Sequence, residues 1–272
     1  MDEIDVQSVY ELGLRLLELG ELDEVEERLR TALLTCPDDG RLIQLQGLVW
    51  HARRRYAAAT RAFELATTLV PLSLAAQLAM ADSYRRGGRA DDARTILNYL
   101  AERPDMPTVL LPNLTAGLGM VGEYQAALDV CRQASQREPD CSEPIYGMAY
   151  YMNKLHYPPE VILPLLRRSL EMAPDCKTYR VSLAVMCGRA GHWDEAYELF
   201  VEIDPGKVGC QTCIGFMVHV YERVGDHVRR DACLCRLLEL SQAAVARGGA
   251  KAGCRCSTDA ADVSAPAREE QS

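Results

Sequence analysis

Small and large apolar residues succeed each other along this chain in a pattern that returns about every 34 residues. Aligned on it, the chain divides into seven repeats, 6–39, 40–73, 74–107, 108–141, 142–176, 177–210 and 211–244, of which only the fifth is longer, by one residue. The eighth position is small, as in Gly13, Gly47, Ala81, Ala149 and Ala184, and the twentieth usually is, as in Ala59, Ala93, Ala127 and Ala196. Small residues at those points let two helices cross closely and admit large neighbours. The neighbours recur on schedule: Leu16, Trp50, Tyr84, Leu118, Met152, Cys187 and Tyr221 at position eleven, and Leu29, Phe63, Leu97, Cys131, Leu166, Phe200 and Leu234 at position twenty-four. The pattern predicts a core written twice per repeat, once on each of two helices.

Gly20, Gly88, Gly122, Gly191 and Gly225 stand where the first helix must stop, because glycine accepts the left-handed conformation that closes a helix. Pro37, Pro71, Pro139 and Pro174 end the second helix or open the next connection. Each repeat therefore reads as a helix, a tight turn and an antiparallel second helix, and the fold class is all-α. With an aromatic near position seventeen (Tyr56, Tyr124, Trp193), alanine at twenty-seven (Ala32, Ala66, Ala134) and proline at thirty-two, the chain resembles the tetratricopeptide repeat family up to about residue 244. The resemblance implies a right-handed α-solenoid of about seven hairpins, whose concave wall is made by the first helices and receives segments of partner proteins. Pentatricopeptide RNA binders have a similar hairpin with a slightly longer period, and the dominant spacing here argues against them. A stack of this kind has a long groove and no enclosed catalytic pocket. The last helix is expected to run on to about residue 247, and residues 248–272, rich in Ala, Ser, Asp, Glu and Pro without periodicity, are expected to form a disordered tail.

Composition narrows the setting. Three Phe and two Trp among 48% apolar residues suit thin helical layers. The amino terminus Met1-Asp2-Glu3-Ile4-Asp5 is acidic, and no run reaches the roughly 18 apolar residues of a membrane span, so a soluble, cytoplasmic protein is expected. Eleven scattered cysteines fit reduced thiols, several of them small core hydrophobes. The net charge of −9 is uneven: residues 1–39 carry twelve acidic side chains against three arginines, whereas 40–73 carry five arginines against Glu64. These two blocks should attract each other or a partner, and self-association is one outcome.

No constellation of catalytic groups is recognisable, so no enzyme activity and no resident cofactor are expected. Gly117-Leu118-Gly119-Met120-Val121-Gly122 matches a dinucleotide fingerprint without the strand that motif requires. Cys210 and Cys213 with Cys233 and Cys235 are the one set with metal-ligand character, and they define an alternative reading as a metal- or thiol-responsive regulator. Against it, Cys233 and Cys235 on one helix point about 200° apart. The arginine clusters Arg53-Arg54-Arg55, Arg85-Arg86 with Arg89, and Arg167-Arg168 sit at turns and helix ends, and with an acidic chain they make nucleic acid a poor partner.

The expected working surface is therefore the first-helix wall, with Tyr10, Leu48, Leu78, Tyr146, Tyr150, Asn153, Val181 and Val185 as candidate partner-binding residues. Some members of the family grip the carboxylate end of chaperone tails with lysine, asparagine and arginine on this wall, and those residues are absent from the first three repeats here. A helix or extended segment with apolar anchors is the expected partner. In the fifth repeat Tyr146, Tyr150, Tyr151 and Tyr157 cluster, either as binding anchors or as filler for a hairpin that carries Pro158-Pro159 at its turn and Pro164 inside its second helix, where a kink is expected.

Overall fold

The computed structural model describes residues 5–246, and their side chains as far as residue 243. These residues form fourteen α-helices and two short 3-10 turns, with no strand among them. The chain gathers into two compact units, Met1–Ala126 and Ala127–Ser272. The 248–272 tail lies outside the described residues.

The first unit contains α1 (Val6–Leu19), α2 (Leu22–Thr35), α3 (Gly40–Ala52), α4 (Tyr56–Thr67), α5 (Leu74–Arg86), α6 (Ala90–Ala101) and α7 (Leu111–Met120). Helix α8 (Tyr124–Arg137) starts in it and continues into the second unit, which adds α9 (Ser142–Lys154), α10 (Pro159–Met172), α11 (Lys177–Arg189), α12 (Trp193–Val201), α13 (Gln211–Val224) and α14 (His227–Ala246). Within each unit a helix packs on its successor, and alternate helices such as α1 and α3, or α11 and α13, also touch. This is an all-α solenoid of helical hairpins.

The expected core positions carry the packing. At the amino-terminal end Leu16 and Leu29 join Val25, Ala32, Leu42, Leu45 and Val49 in one buried cluster, so each hairpin closes its apolar face only by lying on the next. Gly47 shows why position eight is small. A β-carbon there would sit 2.6 Å from the buried Phe63 ring, closer than real contacts allow. Position eleven is buried except at Trp50, which is half-buried.

One predicted core residue is misplaced. Leu234 is 41% exposed, and its neighbour Cys233 is fully buried instead. Position twenty of this repeat is Arg230, too large for the close crossing that the fully buried Ala59 and Ala196 make in theirs, and no further described helix follows α14 to cover Leu234. The fifth repeat absorbs its extra residue in the turn, since α10 begins at position eighteen whereas α2, α4, α6, α8, α12 and α14 begin at seventeen. Helix α10 runs unbroken through Pro164.

The turns share one backbone feature. All seven residues at position fifteen have positive φ: five are the glycines already named, and the other two are Arg54 (φ 59°) and His156 (φ 61°). The hairpin geometry therefore demands the left-handed conformation even where the sequence offers a side chain.

Candidate partner-binding surface

In the first unit the first-helix face is closed by its own polar groups. Gln44, buried on α3, donates through Nε2 to the Tyr10 hydroxyl and accepts the Ser73 backbone N–H at 2.8 Å. Burial raises the Tyr10 phenol. Further along, His51 Nε2 lies 3.1 Å from Asp82 Oδ2, and Arg85 and Arg86 donate to the same carboxylate at 2.6 and 2.8 Å. Burial alone would raise the Asp82 carboxyl, but the hydrogen bonds from His51, Arg86 and Arg85 prevail and hold it far below the usual range. Arg86 also covers the Tyr56 ring at 4.8 Å. Leu48 and Leu78 are buried, so of the three candidates in this unit only Tyr10 keeps partial exposure.

The acidic and basic blocks meet inside this unit. Arg53 pairs with Asp23 and, at 2.9 Å, with Glu26, while Arg55 lies 3.8 Å from Glu26. Arg89 bonds Glu64 and Asp92, each at 2.6 Å. These ion pairs engage Arg53, Arg55 and Arg89 of the arginine clusters. A cleft of about 400 Å³ opens between α1 and α2, lined by Val9, Leu12 and Ala32 with Ser8, Glu27, Arg28 and Thr31.

In the second unit the tyrosines divide between packing and surface. Tyr146 and Tyr179 stack at 4.5 Å, and the Tyr146 hydroxyl lies 2.9 Å from Ser182 Oγ. Burial pushes the Tyr179 phenol up to about 12. Tyr146, Tyr151 and Val181 are buried, so they shape the wall from behind. Tyr150, Asn153 and Val185 are half-exposed and form the accessible part. Lys154 Nζ lies 5.4 Å from the Tyr150 ring centroid, and Arg189 donates to Asn153 Oδ1 at 2.7 Å. On the following hairpin Arg223 covers the Trp193 ring at 4.5 Å, with His219 against the ring edge. Sequence inspection missed these three cations, because each stands a full repeat from the next and they form no cluster along the chain. Reading position thirteen of successive repeats would have found them.

The four cysteines of the alternative reading divide between core and surface. Cys210, Cys213 and Cys233 are buried, whereas Cys235 is exposed on α14, as two positions separated by about 200° around one helix require. Cys210 is the N-cap of α13, and its Sγ accepts the Cys213 N–H at 3.3 Å. Among the described residues no three His, Cys, Asp or Glu side chains gather as a metal site would demand. Burial pushes the Cys233 thiol up to about 11, so it stays protonated at neutral pH. The glycine fingerprint lies on and just after α7, with no strand before it. No helix among the described residues is long and apolar enough to cross a membrane.

Comparison with solved structures identifies the architecture as the tetratricopeptide repeat fold. The C-terminal part of a repeat-containing protein from Cytophaga hutchinsonii superposes with a TM-score of 0.60 at 12% identity, over 86% of this chain and 95% of the other. YrrB, described as a TPR protein with an unusual peptide-binding site, superposes with a TM-score of 0.52 at 15% identity, over 68% of this chain and 90% of its own. No family model matches the sequence, and neither does any curated protein. The likeness is one of fold.

Proposed function

We propose that this chain is a non-catalytic adaptor or assembly scaffold that binds a segment of another protein along the first-helix faces of the repeats within residues 1–247. The observation that carries the reading is the half-exposed row Tyr150, Asn153 and Val185 on α9 and α11, an aromatic, an amide and an aliphatic group side by side above a buried layer. Tyr10 offers the comparable aromatic in the first unit, while Leu48, Leu78, Tyr146 and Val181 back the wall. The peptide-binding site ascribed to YrrB supports the use of such a stack for this purpose. Free thiols at all nine described cysteines suit a reducing, cytoplasmic setting. The ion pairs that occupy Arg53, Arg55 and Arg89 speak against nucleic acid and leave self-association to the cleft at the α1 and α2 end.

A photo-crosslinking residue placed at Tyr150 of the full chain tests this in the native cell, with the same residue at Arg168 on α10 as control. Capture of a discrete partner from position 150 and not from 168 is expected. Equal labelling from both positions, or none from 150, rejects the assignment of this face.

A further inference from the structure

Position thirteen, in the last turn of the first helix, holds Arg86 in α5, Lys154 in α9, Arg189 in α11 and Arg223 in α13. In α5 the residue one turn earlier is Asp82, which neutralises Arg86. At the same place in the second unit stand Tyr150, Val185 and His219. Lys154 rests on the Tyr150 ring itself, Arg223 on the Trp193 ring at the start of α12, and Arg189 on the uncharged amide of Asn153. None of the three faces a carboxylate within ion-pair distance among the described residues. Glu222, next to Arg223 in sequence, lies about 100° around the helix from it. Helices α9, α11 and α13 carry five basic residues (Lys154, Lys177, Arg180, Arg189, Arg223), of which Arg180 pairs with Glu202, against two acidic ones (Glu143, Glu222), in a chain whose net charge is −9.

A basic residue near a helix C-terminus suits the helix dipole, which accounts for the residue type. It does not account for the missing carboxylate, since Arg86 has the same dipole and an acid as well. Aromatic faces and an amide fix the direction of a cation while leaving its charge unneutralised. Such an arrangement suits an anion that arrives from outside.

We infer that this row receives an extended, acidic protein segment with a carboxylate at about every third residue. The inference rests on the adaptor reading above and gives its partner a chemistry. Packed helices stand about 8–10 Å apart, and an extended or polyproline chain rises about 3.1–3.4 Å per residue. Three residues thus span one repeat, and in the polyproline form every third side chain points the same way. Side-chain carboxylates then meet Lys154, Arg189 and Arg223 in turn, while the residues between them reach Tyr150 and Val185. Nucleic acid is the less suitable anion, because three cations on a strongly acidic chain offer little to a phosphate backbone.

The test uses fluorescence anisotropy on the full chain with a labelled peptide of four Glu-Pro-Leu triplets, its Gln-for-Glu counterpart, and a labelled single-stranded RNA of similar length. The glutamate peptide should bind about tenfold tighter than the glutamine peptide, the effect expected of three solvent-exposed ion contacts together. That advantage should vanish in the combined Lys154→Gln, Arg189→Gln and Arg223→Gln variant and shrink as salt is raised. Circular dichroism on the variant confirms an intact fold. Equal binding of the two peptides, an advantage that survives the triple substitution, tighter binding of the RNA, or no binding of either peptide overturns the inference. The adaptor reading stands or falls separately, on crosslinking from position 150.

Discussion

Position fifteen offers the sharpest test of how the sequence fits its backbone. Arg54 is exposed with φ 59°, and its side chain makes no hydrogen bond or ion pair among the described residues. Replacing it with glycine removes no hydrogen bond or ion pair and relieves the left-handed conformation, which costs an L-residue about 1–2 kcal/mol. Glycine gives back about 0.5–1 kcal/mol through its freer unfolded chain. The net expectation for Arg54→Gly is a stabilisation of about 0.5–1 kcal/mol, and Arg54→Ala, which keeps the β-carbon, should gain little. Gly191 provides the reverse experiment. It has φ +83° with nothing within 4 Å of an added β-carbon, so Gly191→Ala carries backbone strain alone and should destabilise by a similar amount. Urea unfolding followed by circular dichroism of the helices, with midpoint and slope fitted separately, reads these changes. If Arg54→Ala stabilises as much as Arg54→Gly, the side chain and not φ is responsible, and the backbone argument fails.

Other positions give independent checks. Cys176 caps α11 without a side-chain hydrogen bond, so Cys176→Ser should add about 0.5–1 kcal/mol by supplying one, and an unchanged melting temperature would contradict the geometry. Gly47→Ala drives a methyl group into the Phe63 ring and should destabilise by about 1–3 kcal/mol, less up to about 1 kcal/mol of helix propensity, with partial recovery on adding Phe63→Leu. Asp82 has a folded-state pKa depressed below 3.8, so its ionised form stabilises the fold above that pH and the contribution is lost as pH falls through the folded value. The stability difference between the natural chain and Asp82→Asn should therefore be largest near neutrality and narrow in acid. A difference that stays constant down to the acid transition would show that the carboxylate charge is not what matters.

The hairpins were legible because their grammar is local and repeated. A small residue at position eight and a large one at eleven and twenty-four report a helix crossing whose geometry hardly changes from one repeat to the next, and the residues that break the grammar mark where the structure departs from it. Arg230 stands at a position that asks for a small residue, and in the same helix Cys233 is buried while Leu234 is not. The surface was less legible, for a physical reason. Whether Leu48 or Tyr146 is wall or core depends on how far adjacent hairpins close over it, and that is set by side chains in the next repeat, such as Tyr179 against Tyr146. Whether an arginine is available depends on the same cross-repeat partners. Arg53 finds Glu26 and Arg167 finds Glu195, pairings that adjacency in sequence does not reveal.

This dependence gives the two units different characters from one template. In the first, position nine of α5 is an aspartate that draws in His51, Arg85 and Arg86, and position five of α3 is a glutamine that bonds both Tyr10 and Ser73. Its first-helix face satisfies itself, and a ligand would have to displace charge-assisted bonds that are already made. In the second unit position nine holds no acid but Tyr150, Val185 and His219, and the cations one turn later are oriented by Tyr150, Asn153 and Trp193 without being neutralised. A partner there gains new ion contacts without breaking old ones, which is the condition under which electrostatic complementarity raises association rate and selectivity. Installing the first unit's device in the second, by Val185→Asp, should place a carboxylate one turn from Arg189 and remove that advantage while leaving the hairpin intact. A Val185→Asp chain that still prefers the glutamate peptide over the glutamine peptide by the same factor would show that the missing acid at position nine is not what opens this face.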